Sequence, residues 1–467
     1  MPLVAAVVLS ALASYWSTSI NHVWWLAWLA PVPLLIVLPR ERLGRSAAAV
    51  AIASIVASLN LVLAYPALPT PVKASIVASI AVANVAVFLL WRLVARRSGA
   101  VAAVLAYPAI ATALEFLNAQ LSVHGSAGAV GYSQTDLLPL MQVAAVTGIH
   151  GVSFLVALGA SMLAGLWRFR NEPATLRRVL VLGALPIALA LVGGAIRLLR
   201  PAGSEATSIG LLAEDAAMRH FDEADSALAL PLLRRYVARG RSLAERGATV
   251  LVLPEKLAGI APSYAADARA ILAELARSER VTVVAGLNLL DRKASPRNVA
   301  LAFGPDGSTV VEYDKRHMVP GLESRYRLGA GPGLFPENHV GVAICKDMDF
   351  AGLGREYANA GTGLMLVPAW DFTTDAWIHS RMAVVRGIEG GFAVARSAAE
   401  GRLTLSDGYG RVLGETASGP EPGVLLGWLP SGPGATFYAR WGNWFGWVTV
   451  GLAGVLLAAA AIRPRAA

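Results

Sequence analysis

Long unbroken apolar runs fill the first two hundred residues and return at 444–462, while the stretch between them breaks into short apolar runs separated by polar turns. The long runs have the length that a bilayer demands of a helix, about 20 residues. They predict spans near 2–15, 23–39, 46–65, 74–91, 99–117, 141–166, 179–199 and 444–462, seven before the polar-patterned stretch and one after it. In the first span, Ala11-Leu-Ala-Ser14 could pass for a signal cleavage site, but no basic segment precedes it, so it reads as an uncleaved span. The middle stretch predicts strands at 207–212, 249–253, 281–286, 298–303, 309–313, 339–344, 363–367, 392–396, 402–406 and 411–414. Most are continuously apolar rather than alternating, as in sheets buried on both faces. Pro305-Asp306-Gly307 and Asp407-Gly408 mark hairpin turns. Amphipathic helices fall near 224–246, 264–279 and 375–389, and the Pro- and Gly-rich stretch 415–434 reads as a connector. Strands interleaved with helices and then hairpins predict an α/β domain with mixed sheets. The chain thus divides into a seven-span transmembrane domain (1–202), an α/β domain (203–435) and a C-terminal transmembrane helix (436–467).

Composition agrees with that division: 55% of residues are hydrophobic and 15% charged, against about 25% charged in a soluble domain. The charges that flank the spans are one-sided. Arg40, Arg42 and Arg45 follow the second span, Arg92, Arg96 and Arg97 the fourth, Arg168, Arg170, Arg177 and Arg178 the sixth, and Arg463 and Arg465 the last. The alternate loops are nearly bare, with Lys73 as their one cation. Lys and Arg gather on the cytoplasmic side, which puts the α/β domain outside the cytoplasmic membrane. These anchors account for most of the net charge of +9, so it is not a nucleic-acid footprint.

The chain has one cysteine, Cys345, which excludes an internal disulfide. A free Cys is often just a small buried apolar residue, and its neighbours decide between that and a chemical role. Three reactive residues close predicted strands: Glu255 after Val250-Leu-Val-Leu-Pro254, Lys315 after Glu312-Tyr313-Asp314, and Cys345 after Val340-Gly-Val-Ala-Ile344. Strand ends are where α/β folds expose functional groups. A thiol is weakly ionised at neutral pH and needs a base or a cation. Glu255 can take the proton; Lys315 can favour the thiolate and later hold an oxyanion. Taken singly, a Glu after Pro is also a common turn residue and a Lys also a solvated charge.

The motifs around these residues resemble those of the apolipoprotein N-acyltransferases, membrane members of the nitrilase superfamily, nearly end to end. Gly131-Tyr-Ser-Gln134 and Gly148-Ile-His-Gly-Val-Ser-Phe154 are similar to segments of that family's membrane half. Leu253-Pro254-Glu255 resembles its Trp-Pro-Glu. Lys315-Arg-His-Met-Val-Pro-Gly-Leu-Glu323 keeps its Lys-to-Glu spacing, and Ala343-Ile-Cys345 its nucleophile motif. His379, Arg386 and Glu389 fall where the family has a Gln-His…Arg…Glu helix, and Thr436-Phe-Tyr-Ala-Arg-Trp-Gly-Asn-Trp444 resembles the segment before its last span. The resemblance implies an α-β-β-α sandwich beside a polytopic helical membrane domain, in the bacterial inner membrane. It implies Glu255 as base, Lys315 as oxyanion stabiliser, Cys345 as nucleophile and Glu323 as a supporting carboxylate, without cofactor or metal. It further implies a monomer that moves an acyl chain from a phospholipid, through a thioester, to the N-terminal amine of a lipoprotein.

Several positions depart from the family pattern. Lys346 and Asp347 stand after the nucleophile in place of Tyr and Glu, and join the supporting candidates. Only 21 residues, rich in Gly and Arg, separate Glu323 from Cys345 where the family carries a long apolar lid. The Gln-Gly-Asn near the domain start reads Leu212-Ala-Glu-Asp215, and Asn-Asp-Ala-Trp-Phe reads Pro368-Ala-Trp-Asp-Phe372. The same trio would serve a membrane-tethered amidase that passes its acyl group to water, or an acyltransferase for another amine; a non-catalytic scaffold fits poorly with an intact trio. The seven His have no metal-ligand spacing, Gly329-Ala-Gly-Pro-Gly333 lacks a phosphate-loop context, and no Gly-x-Ser-x-Gly elbow is present. Trp24, Trp25, Trp28, Trp441, Trp444 and Trp447 read as an interfacial belt. Glu115, near the end of the fifth span, is either an intramembrane functional carboxylate or one that reaches the outer interface.

Overall fold

The computed structural model describes residues 1–17, 20, 23–201, 203, 206–216, 221–336 and 339–462. The chain forms two compact units: Met1–Leu199 with the segment from Asn443 onward, and Arg200–Gly442. The anchors Arg463 and Arg465, and residues 337–338 of the short lid, lie outside the described residues.

Among the described residues the first unit has six helices long and apolar enough to cross a membrane: Leu43–Ala64, Thr70–Arg97, Ala100–Leu121, Ile149–Arg168, Pro173–Leu198 and Trp444–Ile462. The first two predicted spans differ from these in length. Leu3–Trp16 has 14 residues, about 21 Å of helix, and the 26–40 segment is interrupted by Pro31, Pro33 and Pro39. They come as a pair, so the charge-based orientation is the same whether both cross or neither does. The predicted sixth span also starts later, at Ile149, because Gly148 takes φ 72° and ends the short turns at Leu138–Met141 and Ala144–Thr147. Small residues let these helices approach: a Cβ on Gly183 would sit 2.6 Å from the Met162 side chain.

The second unit is a sandwich of two open sheets. In chain order its strands are β1 (Ala206–Ala213), β2 (Val250–Val252), β3 (Gly259–Ile260), β4 (Thr282–Leu289), β5 (Arg297–Phe303), β6 (Thr309–Asp314), β7 (Gly333–Leu334), β8 (Val340–Val342), β9 (Leu364–Trp370), β10 (Ala393–Ala399), β11 (Arg402–Ser406), β12 (Val412–Ala417) and β13 (Gly423–Pro430). One sheet runs β13-β1-β2-β4-β5-β6, with β3 beside β4; the other runs β12-β11-β10-β9-β8-β7. Their facing residues share one core, including Leu211, Val252 and Val284 from the first sheet and Ile344, Leu366 and Ala395 from the second. Helices Ser226–Glu245 and Ala265–Glu279 cover the outer face of the first sheet, while Ala351–Asn359 and Ala376–Gly390 cover the second. This is the α-β-β-α nitrilase-like architecture.

The stretch expected to be a connector is a strand. Residues 423–430 pair antiparallel with β1 over its whole length, from Ala206 opposite Pro430 to Ala213 opposite Gly423. Its glycines and proline mask the apolar run Val424-Leu-Leu-Gly-Trp-Leu429, and an edge position tolerates both residue types.

Candidate active site

The ends of β2, β6 and β8 bring Glu255, Lys315 and Cys345 to one buried place, and the end of β9 supplies backbone carbonyls to it. β2 is parallel to both β1 and β4, and the chain beyond it continues along β4: Leu253 N donates to Val284 O (2.8 Å), and Gly286 N to Pro254 O (3.1 Å). Only glycine fits at 286, because a Cβ there would lie 2.5 Å from Glu255 Cα. Glu255 N then donates across to Ala369 O of β9 (3.2 Å), and Cys345 Sγ contacts Trp370 O, the next carbonyl (3.3 Å). Successive carbonyls of one strand end thus hold the base candidate and the nucleophile candidate.

Lys315 leaves β6 with its N–H donating to Asn298 O (2.9 Å). Its ammonium donates to Glu255 Oε1 (2.7 Å) and Glu323 Oε2 (2.8 Å). Glu323 also accepts from Val319 N (2.8 Å) and from Lys256 Nζ (2.6 Å). The amide of Asn298 donates to both carboxylates, at 2.6 Å to Glu255 and 2.9 Å to Glu323. Glu255, Lys315 and Glu323 are each no more than 2% exposed, and Lys256 is 6% exposed. Two carboxylates and two ammonium groups balance, which is the condition for ionised groups to persist away from water. Burial opposes the charge on Glu323, but Lys315 and Lys256 outweigh it and hold the carboxyl well below its ordinary range. Burial likewise opposes the charge on Lys315, and the carboxylates nevertheless keep its pKa well above the ordinary value.

Cys345 sits at φ 43°, in the left-handed region, as do Glu400, Arg280, His339 and Lys256. Two of those five strained positions therefore belong to this site, where strain is commonly stored. Burial first, and the negative Glu255 second, push the Cys345 thiol well above its ordinary pKa, with Lys315 pulling the other way. The thiol is therefore protonated at rest, and of the two carboxylates that raise it, Glu255 and Asp371, Glu255 acts more strongly.

Asp347 and Lys346 both point to scaffolding. Asp347 Oδ2 accepts from Tyr313 Oη (2.7 Å) and Ile344 N (3.1 Å); Oδ1 accepts from the backbone N–H of Arg316 (3.2 Å) and His317 (2.9 Å). It ties the turn after the nucleophile to the segment after Lys315, a job for which a carboxylate shorter than Glu suffices. Lys346 is buried with its ammonium on Asp349 Oδ2 (3.1 Å). His379 lies 3.3 Å from Asp375 and 3.8 Å from Asp349. Burial disfavours its charge, but the two carboxylates raise it to about 10. Arg386 lies 2.7 Å from Glu389 on the same helix, and Asp371 forms a buried bidentate pair with Arg396.

In the helical unit, Glu115 Oε1 lies 3.0 Å from His150 Nδ1 and Oε2 accepts from Val130 N (2.9 Å). Glu115 thereby fastens the two motif segments, 131–134 and 148–154, together. Gln134 bridges Trp28 Nε1 (2.8 Å) and Trp24 O (3.0 Å), so Trp28 belongs to this network rather than to a lipid-facing belt. Two residues that the sequence reading passed over, Asn298 and Lys256, lie in the site itself. Lys256 adjoins Glu255 in sequence, but nothing in a single Lys after Glu signals that it turns inward.

Comparison with known proteins gives two family matches. A model of the apolipoprotein N-acyltransferase N-terminal domain matches residues 10–162, and a carbon-nitrogen hydrolase model matches 213–427. An apolipoprotein N-acyltransferase of Geobacter metallireducens is 28% identical over 489 residues, covering 93% of this chain and 91% of the relative. One from Bradyrhizobium diazoefficiens is 28% identical and covers 78% of this chain and 74% of its own. An omega-amidase of Mus musculus is 28% identical over 224 residues, 41% of this chain and 80% of that protein. The similarity to acyltransferases thus extends through both units.

Proposed function

The chain belongs to the apolipoprotein N-acyltransferase family, and on that premise we propose that it moves an acyl chain from a phospholipid to the α-amine of a diacylated lipoprotein through a thioester on Cys345. It is a membrane-embedded N-acyltransferase; the donor, the thioester and the residue roles are our reading. The observation that carries this reading is the buried Glu255–Lys315–Glu323 network electrostatically coupled to a single cysteine.

In the first half-reaction the Cys345 sulfur attacks the ester carbonyl of the phospholipid while its proton passes to Glu255. The oxyanion that forms is held by Lys315. The attack makes the C–S bond; as the oxyanion collapses, the carbonyl re-forms, the C–O bond breaks to leave the thioester, and Glu255 returns the proton to the departing lysophospholipid alkoxide. In the second half-reaction the α-amine attacks the thioester carbonyl. The C–N bond forms, the C–S bond breaks, and Glu255 carries the amine's proton to the Cys345 thiolate. Burial of the thiol supports survival of the thioester until the amine arrives, since water is excluded. The loop charges support a catalytic unit outside the cytoplasmic membrane.

Mass spectrometry of a lipoprotein N-terminus in cells depleted of this protein tests the reading. Loss of one acyl chain from that N-terminus is the expected result. An unchanged N-terminus would leave the thioester to water or to another amine, the amidase-like reading.

A further inference from the structure

Lys256 is the least expected member of the site. It follows the base candidate directly, at φ 47°, and turns its ammonium inward. Three aromatic rings surround the Nζ: Tyr326 at 5.2 Å, Trp370 at 5.3 Å and Phe221 at 5.4 Å to their centroids. Phe221 and Trp370 are themselves packed edge to face at 4.7 Å. Such faces offset part of the hydration a buried cation loses. The charge-paired contact is Glu323 Oε1 at 2.6 Å. Lys315, by contrast, divides its ammonium between Glu323 and Glu255.

We propose that Lys256 is a positioning residue whose charge is committed to Glu323, which reserves Lys315 for the oxyanion formed at Cys345. This rests on the thioester reading above. The charge balance supplies the reason. When the Cys345 proton reaches Glu255, that carboxyl becomes neutral and the negative charge moves to the substrate oxygen. With Lys256 present, Glu323 and the oxyanion face two cations. Without it, both anions compete for Lys315, and the transition state carries an uncompensated charge in a dry site. Asn298 supports the same arrangement by donating to both carboxylates, which joins Glu255 and Glu323 in one hydrogen-bond network. The charged and titratable groups facing that pair are Lys315, Lys256, Cys345 and, beside Lys256, Tyr326 with its neighbours Arg325 and Asp222.

The test is single-turnover thioester formation by the full-length protein in detergent with radiolabelled phospholipid, followed across acid and neutral pH. Lys256→Met should slow the step about 10- to 100-fold with little change in KM, and should move the acid limb of the profile upward by about one to three pH units. Lys256→Arg, which keeps the charge, should keep the acid limb in place. Should Lys256→Met fold poorly, the double variant Lys256→Met/Glu323→Gln removes one charge of each sign and should be at least as active as Glu323→Gln alone. A Lys256→Met enzyme whose rate falls while its acid limb stays put would show a structural role and overturn the proposal, as would unchanged rate and profile or a double variant worse than Glu323→Gln. Absence of hydroxylamine-sensitive label on the parent enzyme would instead strike the thioester reading itself.

Discussion

Two charge clusters within the α/β unit are built differently. In one, Glu255, Lys256, Lys315 and Glu323 converge with Asn298 from separate strand ends and loops. In the other, Lys346 pairs with Asp349 three residues on, and His379 with Asp375 four residues back. The second cluster is mostly formed by residues near one another in sequence, with His379 also reaching Asp349. The first exists only because the sandwich brings distant segments together, and Glu255 and Lys315 are the members coupled to the thiol. The contrast separates charges that hold a turn from charges that are available to move a proton or meet an oxyanion.

Glu255→Gln should break the distinction most sharply. General acid–base help is worth about 10²–10⁴-fold, and that is the expected loss in thioester formation, with folding intact because Gln keeps size and hydrogen bonding. Near-parental first-step rates in this variant would remove Glu255 as the base. Glu323→Gln comes next. It leaves two ammonium groups with one carboxylate, and breaking a buried pair in this way costs about 3–5 kcal/mol. Denaturant unfolding should show that loss alongside a smaller drop in first-step rate than Glu255→Gln gives. Equal loss of rate in both would mean that the carboxylates share proton transfer.

The smallest expected effect belongs to the local cluster. His379 is raised to about 10 from an ordinary value near 6.5. A raised folded pKa contributes stability that is fully present below the unfolded value and is lost as pH rises through the folded one. Thermal unfolding should therefore show a Tm that declines between neutral pH and about 10, and His379→Gln should flatten that decline. At neutral pH the variant should lose about 2–4 °C, the shift that roughly 1 kcal/mol produces in a domain of this size, with thioester formation almost unchanged. A first-step rate as damaged as in Glu323→Gln would erase the difference between the clusters.

Glu255, Lys315 and Cys345 could be singled out as candidates in the sequence because each follows a predicted strand, and a strand end followed by a reactive residue is a local signal. Lys256 and Asn298 could not. Asn298 reads as an unremarkable polar residue opening β5, and its role arises only where β5 passes both carboxylates. Lys346 shows what a sequence position alone does not reveal. Next to a nucleophile and in place of an aromatic it suggests altered substrate recognition, whereas the fold turns it onto Asp349. β13 was hidden by its composition, since Gly and Pro signal a loop locally and an edge strand only once β1 is known to lack a partner on that side. The long helices were read from hydropathy alone, but their starts depend on single residues such as Gly148.

The account turns on acyl transfer through Cys345. Purified protein should be incubated with phospholipid labelled in its acyl chain, without acceptor, and digested for peptide mass spectrometry. The label is expected on the peptide that contains Cys345, released by neutral hydroxylamine, and absent from Cys345→Ala. Label that resists hydroxylamine, or that persists in Cys345→Ala, would contradict the account.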